Sequence, residues 1–371
     1  MTIALVANSS WNLHHFRRSL INRLMAEGYD IILLAPEDKY TPHLADFLNA
    51  RYIPLRHLQA QRKNPLRDLL LLQELYRIYR QEQPDIVLHF TIKPNLYGSL
   101  AASWLGIPSI STVTGLGYTF VHDQFRYRLV RMLYRFSFRK NTQVVFQNPD
   151  DKDLFLELGL VDKNKYTLIP GSGVDTNHFI PQSKSENKDA FIYLFVGRLL
   201  YDKGIREFFA AAQLLQQPGR IFWVVGERLP DHPNGIPEVM VQSWIESGAI
   251  QYLGYQEDVR PFLAQADVLV LPSYREGLPR SVLEAMAMAK PILTTNVPGS
   301  RETVERGKNG VLIPIKSVEA LATAMKQIQK MDSEQLNQWG QYSRKLVVKK
   351  FSQKIVNDLY LELIKNEKGT T

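Results

Sequence analysis

The chain has 371 residues, 45% of them hydrophobic and 22% charged, with a formal net charge of +8 and no cysteine. That length accommodates two domains, the balance is that of an ordinary globular protein, and the lack of thiols excludes disulfides and thiolate metal sites. The positive charge points to an anionic partner, nucleic acid or a membrane surface, without choosing between them.

The first run, Met1–Ala7, is too short for a signal-peptide core and reads as a strand. In chain order, Thr2–Ala7, Asp30–Ala35, Asp85–Phe90, Ser109–Val113 and Val144–Gln147 are short apolar runs without alternation. Such runs suit strands buried on both faces of a parallel sheet. Helical patterns fall between them at Phe16–Glu27, Leu66–Gln81 and Tyr97–Leu105. The polar stretch 181–189 breaks the pattern and reads as a linker. The series then restarts at Phe191–Val196, Ile221–Val225, Ile250–Leu253, Val268–Leu271, Pro291–Thr294 and Val311–Ile313. Two doubly wound, Rossmann-like α/β domains facing a cleft follow from this pattern. No apolar run is long enough to cross a bilayer.

The densest chemistry lies at Glu276-Gly-Leu-Pro-Arg-Ser-Val-Leu-Glu284, where two carboxylates eight positions apart bracket a loop-to-helix junction. Gly277 and Pro279 mark the turn, Ser281–Ala289 reads as helix, and Pro279 is tolerated near a first helical position. The N–H groups and positive dipole end at 279–282 form an anion site suited to a diphosphate. A ligand that sets phosphates on this tip and offers hydroxyls to both carboxylates is a nucleotide-sugar. Arg198 and Lys203 follow the strand Phe191–Val196, at the carboxyl edge where open α/β sheets bind ligands. Cations there neutralise the charge that grows on a leaving diphosphate.

These residues resemble the E-x7-E signature of retaining glycosyltransferases of the GT4 family, which have the GT-B fold. Gly197-Arg-Leu-Leu-Tyr-Asp-Lys-Gly204 looks like that family's G-R-L…K-G segment, and Pro170-Gly-Ser-Gly-Val-Asp175…Phe179 like its P-x-G-V-D…F segment. Val224-Val-Gly-Glu227 and Leu253-Gly-Tyr-Gln-Glu-Asp-Val259 stand where its nucleotide-contacting turns fall. The resemblance implies an acceptor-binding domain over 1–182, a nucleotide-sugar domain over 183–350, and a last helix in 351–371 that crosses back to the first domain. It implies that Glu276 meets a hydroxyl of the transferred sugar and Glu284 the ribose hydroxyls. Arg198 and Lys203 would hold the diphosphate, with Gly277, Leu278, Ser281 and Val282 completing the phosphate site and Gly226 and Tyr255 near ribose and base. Transfer would retain the anomeric configuration by front-face departure, the leaving diphosphate accepting the acceptor's proton.

His89-Phe-Thr-Ile-Lys-Pro-Asn95-Leu-Tyr-Gly98 and Thr114-Gly-Leu-Gly117 resemble a narrower group, the bacterial capsule, O-antigen and N-glycan transferases. This implies a UDP-sugar donor, often an N-acetylhexosamine, and a polyprenyl-diphosphate-linked glycan acceptor. Asn12, Lys93, Asn95, Gly115 and Gly117 are the acceptor-side candidates. Two departures from the wider family stand out: the loop Asn8–His15 carries no glycine, and no histidine follows Ser109–Val113.

From Phe125 to Asn148 there are six basic residues and no acid, and Arg128, Arg131, Arg135 and Arg139 recur at helical spacing among aromatic and aliphatic residues. This reads as a basic amphipathic helix for an anionic membrane surface, with a core-packed helix bearing a solvated arginine edge as the alternative. Arg62-Lys63…Arg67 is placed on the same side. No nucleic-acid module accompanies the charge, so no nucleic acid is expected. Asp151-Lys-Asp153 matches a D-x-D metal motif but sits where acids open a helix over Leu154–Leu158. The eight histidines show no ligand spacing, so neither metal nor other cofactor is expected. The expected location is cytoplasmic, peripheral on the inner membrane. Two alternatives stay open: a GT-B enzyme acting on a nucleotide-sugar without transfer, as 2-epimerases do, and an inactive scaffold that binds lipid-linked glycan.

Overall fold

A computed structural model describes residues 1–47, 49–59, 64–116, 124–139, 141–184 and 190–368. The chain forms two compact units, Met1–Ser172 with Gln353–Thr371, and Gly173–Ser352. The first division falls at Ser172, ahead of the polar stretch at 181–189, of which 185–189 lie outside the described residues. Residues 173–184 are tied into the second unit: the Val174 N–H donates to the Phe351 carbonyl at 3.0 Å. Arg344 donates to the carbonyls of Thr176 and Phe179, both at 2.7 Å.

The first unit is built on a seven-stranded parallel sheet of order β3-β2-β1-β4-β5-β6-β7. Its strands are β1 (Thr2–Val6), β2 (Asp30–Ala35), β3 (Ala50–Pro54), β4 (Ile86–Phe90), β5 (Ser109–Val113), β6 (Gln143–Phe146) and β7 (Tyr166–Leu168). The central β4 and β5 are buried along their whole length, which is why they read as unbroken apolar runs. β3 and β7 escape a reading by burial pattern because each is only partly covered, with Arg51 and Leu168 exposed. One face of the sheet packs Leu20, Ile21 and Leu24 of the helix Arg18–Ala26 with Val356, Tyr360 and Ile364 of the last helix. The Tyr360 hydroxyl is 2.9 Å from that of Thr112, and Phe90 meets its ring at 6.2 Å. The other face packs Leu71, Leu75 and Tyr79 of the helix Pro65–Glu82, whose first N–H groups are capped by Asn64. Fully burying each such side chain contributes about 1.5–3 kcal/mol.

The second unit carries a six-stranded parallel sheet of order β10-β9-β8-β11-β12-β13. These are β8 (Phe191–Val196), β9 (Arg220–Val225), β10 (Gln251–Tyr252), β11 (Val268–Leu271), β12 (Ile292–Thr295) and β13 (Gly310–Ile313). Both sheets wind outward in one direction, return, and continue on the other side of the first strand. The reversal lies between β1 and β4 in the first unit and between β8 and β11 in the second. Loops at the carboxyl ends of strands flanking such a reversal splay apart and leave a crevice for ligand.

Candidate active site

The loops after β8 and β11 flank the reversal of the second sheet, and they carry Lys203 and Glu276. Glycine lets them meet. Gly204 has a φ of +71°, and a Cβ there would lie 2.1 Å from the Pro272 carbonyl oxygen. Beside it the Tyr274 N–H donates to the Asp202 carbonyl at 2.7 Å. Lys203, held between these two ties, reaches Glu276 with Nζ 2.6 Å from Oε1. The Ser273 hydroxyl donates to the same oxygen at 2.7 Å. With its side chain only 9% exposed, Glu276 is thus a nearly buried, doubly bonded carboxylate.

A third segment supports this loop. The Glu276 N–H donates to the Pro298 carbonyl at 3.2 Å. Gly299, φ +82°, sits so close that a Cβ would come within 2.5 Å of the carbonyl oxygens of Glu276 and Gly277. The Thr295 hydroxyl donates to the Ser273 carbonyl. Neither Ser273 nor Gly299 was singled out from sequence. The signals available were a hydroxyl three residues before the carboxylate and a Pro-Gly turn after the strand at 291–294.

The helix following this loop runs Arg280–Ala287, with Pro279 as its extended N-cap rather than a first helical residue. Val282 is fully buried and its N–H already donates to the Pro279 carbonyl at 3.1 Å. Arg280 and Ser281 stand in the first turn, the end of a helix at which backbone N–H groups point outward. Leu278 packs partly into the core. Glu284 lies one turn in, its side chain 13% exposed, with Oε1 accepting from Arg280 Nε at 2.9 Å. Burial pushes the Glu284 carboxyl above its ordinary range, and the Arg280 charge and hydrogen bond oppose that.

Gly226 closes the end of β9 against β8, where a Cβ would meet the Gly197 carbonyl oxygen at 1.8 Å. Its N–H donates to the Gly254 carbonyl at 2.9 Å, and its carbonyl accepts from the Tyr252 hydroxyl at 2.8 Å. Tyr255 follows that contact and is 48% exposed. Arg198 is exposed on the loop after β8. Burial, reinforced by the Arg198 charge, holds the His232 imidazole below its ordinary value. The second unit therefore gathers Lys203, Glu276 and Ser273 in direct contact, places Glu284 on the helix that follows, and leaves Arg198 and Tyr255 open to solvent.

In the first unit the acceptor-side candidates follow β1, β4 and β5. Asn12 is in the turn Ser10–Asn12 with its N–H capped by the Ser9 hydroxyl at 3.1 Å, and it is nearly buried. Lys93 bonds Asp68 at 2.7 Å. Asn95 is buried and donates its amide to the Thr112 carbonyl at 2.8 Å, so it joins the ends of β4 and β5. Gly115 has a φ of +121°; Gly117 lies outside the described residues. His89 is a core residue, with Nε2 3.0 Å from the Tyr79 hydroxyl and burial lowering its pKa to about 3. The loop after β1 also builds a ring cluster. Trp11 stacks on His15 at 4.9 Å, Tyr40 meets His15 edge-on at 4.8 Å, and His14 lies 5.2 Å from His43.

Asp151 lies within a helix that starts at Pro149 rather than at Leu154. It is fully buried, receiving its N–H cap and a side-chain bond from Asn148 at 2.8 and 3.1 Å. It is therefore a structural acid. Among the described residues His14, His43 and Asp46 bring ligand atoms within 4.8 Å of one another. Arg18 already places a cation there, 2.9 Å from His14 Nε2 and 3.9 Å from Asp46.

Comparison with known proteins gives the family. Residues 2–148 match the model of a "Glycosyl transferase 4-like" family and residues 177–346 that of "Glycosyl transferases group 1". The chain is 30% identical over 338 residues to the N,N'-diacetylbacillosaminyl-diphospho-undecaprenol alpha-1,3-N-acetylgalactosaminyltransferase of Campylobacter jejuni, covering 87% of this chain and 88% of that one. It is 26% identical to the UDP-Gal:alpha-D-GlcNAc-diphosphoundecaprenol alpha-1,3-galactosyltransferase of Escherichia coli, covering 92% and 91%. The fold matches the sucrose-phosphate synthase of Thermosynechococcus elongatus with a TM-score of 0.84 at 20% identity over the full length of both chains. Two parallel doubly wound sheets of this kind are the GT-B fold. The chain belongs to the GT4 family, the group 1 glycosyl transferases.

Proposed function

We propose that the protein transfers a sugar, an N-acetylhexosamine or a related hexose, from a UDP-sugar to a polyprenyl-diphosphate-linked saccharide during bacterial surface-glycan assembly, with retention at the anomeric carbon. The observation that carries this reading is the Lys203–Glu276–Ser273 contact beside the tip of the helix Arg280–Ala287. The relatives from Campylobacter jejuni and Escherichia coli, named for undecaprenyl-diphosphate-linked acceptors and, in one case, for UDP-galactose, support the substrate class.

In this reading the diphosphate rests on the helix tip, Lys203 and Arg198 neutralise its growing charge, and Glu276 accepts a hydroxyl of the transferred sugar. Glu284 accepts from the ribose, while Gly226 and Tyr255 lie near ribose and base. Positioning and electrostatic stabilisation supply the catalysis. The departing diphosphate takes the acceptor's proton, and the two cations fill the place of a metal, so transfer proceeds in EDTA. The helix Gln124–Phe138 holds the enzyme on the cytoplasmic face of the inner membrane, where the lipid-linked acceptor is presented.

The test is a transfer assay in EDTA with a panel of UDP-sugars and undecaprenyl-diphosphate-linked mono- and disaccharides, followed by determination of the anomeric configuration of the product. Glu276→Ala should lower kcat by about 100-fold or more. Donor hydrolysis or epimerisation without a glycosidic product, or an absolute need for added Mg²⁺ or Mn²⁺, would overturn the reading.

A further inference from the structure

Arg280 occupies a position that helix energetics do not explain. It is the first residue of the helix Arg280–Ala287, where the positive end of the dipole disfavours a cation. Its pairing with Glu284 runs Arg-to-Glu toward the C-terminus, the less favourable orientation for pairs four residues apart. The pair is also largely removed from water, the side chains being 25% and 13% exposed, so both charges are partly desolvated. A residue that stabilised only the helix would not be an arginine here.

We propose that Arg280 is a positioning residue of the donor site, fixing the Glu284 carboxylate against the ribose hydroxyls of the bound nucleotide. This rests on the nucleotide-sugar reading above. Nε of Arg280 takes Oε1 of Glu284 at 2.9 Å and so sets the plane of the carboxylate on its rotatable stem. A carboxylate accepts from two ribose hydroxyls only when it is ionised, because the protonated acid must spend one oxygen as a donor. Burial and, more weakly, the Asp258 carboxylate work against that ionised form at Glu284, and the Arg280 charge and hydrogen bond oppose them. Removing the guanidinium frees the carboxylate to rotate. It also raises the pH at which Glu284 takes up a proton.

The experiment is calorimetric titration of the full-length chain with UDP and with 2'-deoxy-UDP, in EDTA, for wild type, Arg280→Met, Arg280→Lys and Glu284→Gln. The wild type should prefer UDP by about ten- to hundredfold, the worth of a hydrogen bond to a charged group. Arg280→Met should lose most of that preference while its affinity for 2'-deoxy-UDP changes little. Its UDP affinity should also begin to fall at a higher pH than that of the wild type, with Arg280→Lys restoring part of both. Equal losses for the two ligands would make Arg280 a phosphate or folding residue and overturn the proposal, as would an unchanged preference. Should Arg280→Met not fold, as judged by its melting curve, the preference and pH profile of Arg280→Lys decide: wild-type behaviour in both overturns the proposal. A wild type without any preference, matched by Glu284→Gln, overturns the ribose role of Glu284 itself and the present inference with it.

Discussion

Gly299 shows how closely the Glu276 loop is held at single-residue scale. It contributes no chemistry, yet its missing Cβ is what lets the turn after β12 lie against the carbonyls of Glu276 and Gly277. Gly299→Ala must both leave a left-handed conformation and push the Glu276 loop away. We expect a loss of about 1–3 kcal/mol in stability together with a fall in kcat out of proportion to that loss, because the Lys203–Glu276 contact shifts. Paired urea denaturation and transfer assays measure both. Wild-type kcat in a destabilised variant would show that the loop keeps its geometry without this support. The carboxylates were legible in the sequence because they sit on either side of a strand-to-helix junction, a local feature. Gly299 and Ser273 were not, since their roles come from contacts between segments that only the folded sheet brings together. Arg280 stood within the motif itself, but its spacing alone does not distinguish a helix-surface pair from a desolvated one.

At the scale of elements, the helix Gln124–Phe138 divides the labour of its side chains differently from its sequence pattern. Tyr134 and Phe138 are buried, meeting Phe155 at 5.2 and 6.3 Å. Arg135 donates to the carbonyls of Leu158 and Gly159, both at 3.1 Å, so it caps the end of the neighbouring helix. Among the described residues Arg128, Met132 and Phe136, at four-residue spacing, and Arg139 also stand outward, the two apolar side chains being 61% and 62% exposed. Arginine beside exposed aromatic and thioether groups matches the chemistry of an anionic bilayer surface. On the helix Pro65–Glu82, Leu66, Leu69 and Leu70 are exposed, whereas Arg62 and Lys63 lie outside the described residues. We expect Arg128→Glu with Arg139→Glu to weaken sedimentation with vesicles containing anionic lipid by at least about fivefold per position, with the melting temperature unchanged. Binding equal to wild type would rule this helix out as a membrane-binding element.

At the scale of the whole molecule, both sheets share one winding order, and most of their strands, though not that order, could be read from apolar runs without alternation. The partly covered β3 and β7 could not, because a strand that buries only some of its side chains resembles the loops around it. The same burial that makes the central strands legible has a consequence for pH. His89 stands in the middle of β4, fully buried, with Tyr79 at one ring nitrogen and the hydroxyls of Ser99 and Ser111 3.5 Å from the other. A Cβ on Gly98 would overlap its ring, so the pocket fits a neutral imidazole closely. Its pKa of about 3 lies below the value of about 6.5 in an unfolded chain. Between those two values the unfolded chain binds a proton that the folded chain refuses, so the stability contributed by neutral His89 is lost as pH falls below about 6.5. The loss amounts to about 1.4 kcal/mol per pH unit until the folded pKa is reached. Urea denaturation at pH 7, 6 and 5 should therefore show a midpoint that moves down on acidification in the wild type and moves less in His89→Gln. The difference between the two slopes is the histidine's own contribution, apart from that of the carboxylates. Parallel slopes would mean that His89 is protonated in the folded core, and that the hydroxyls around it, rather than its burial, set its charge.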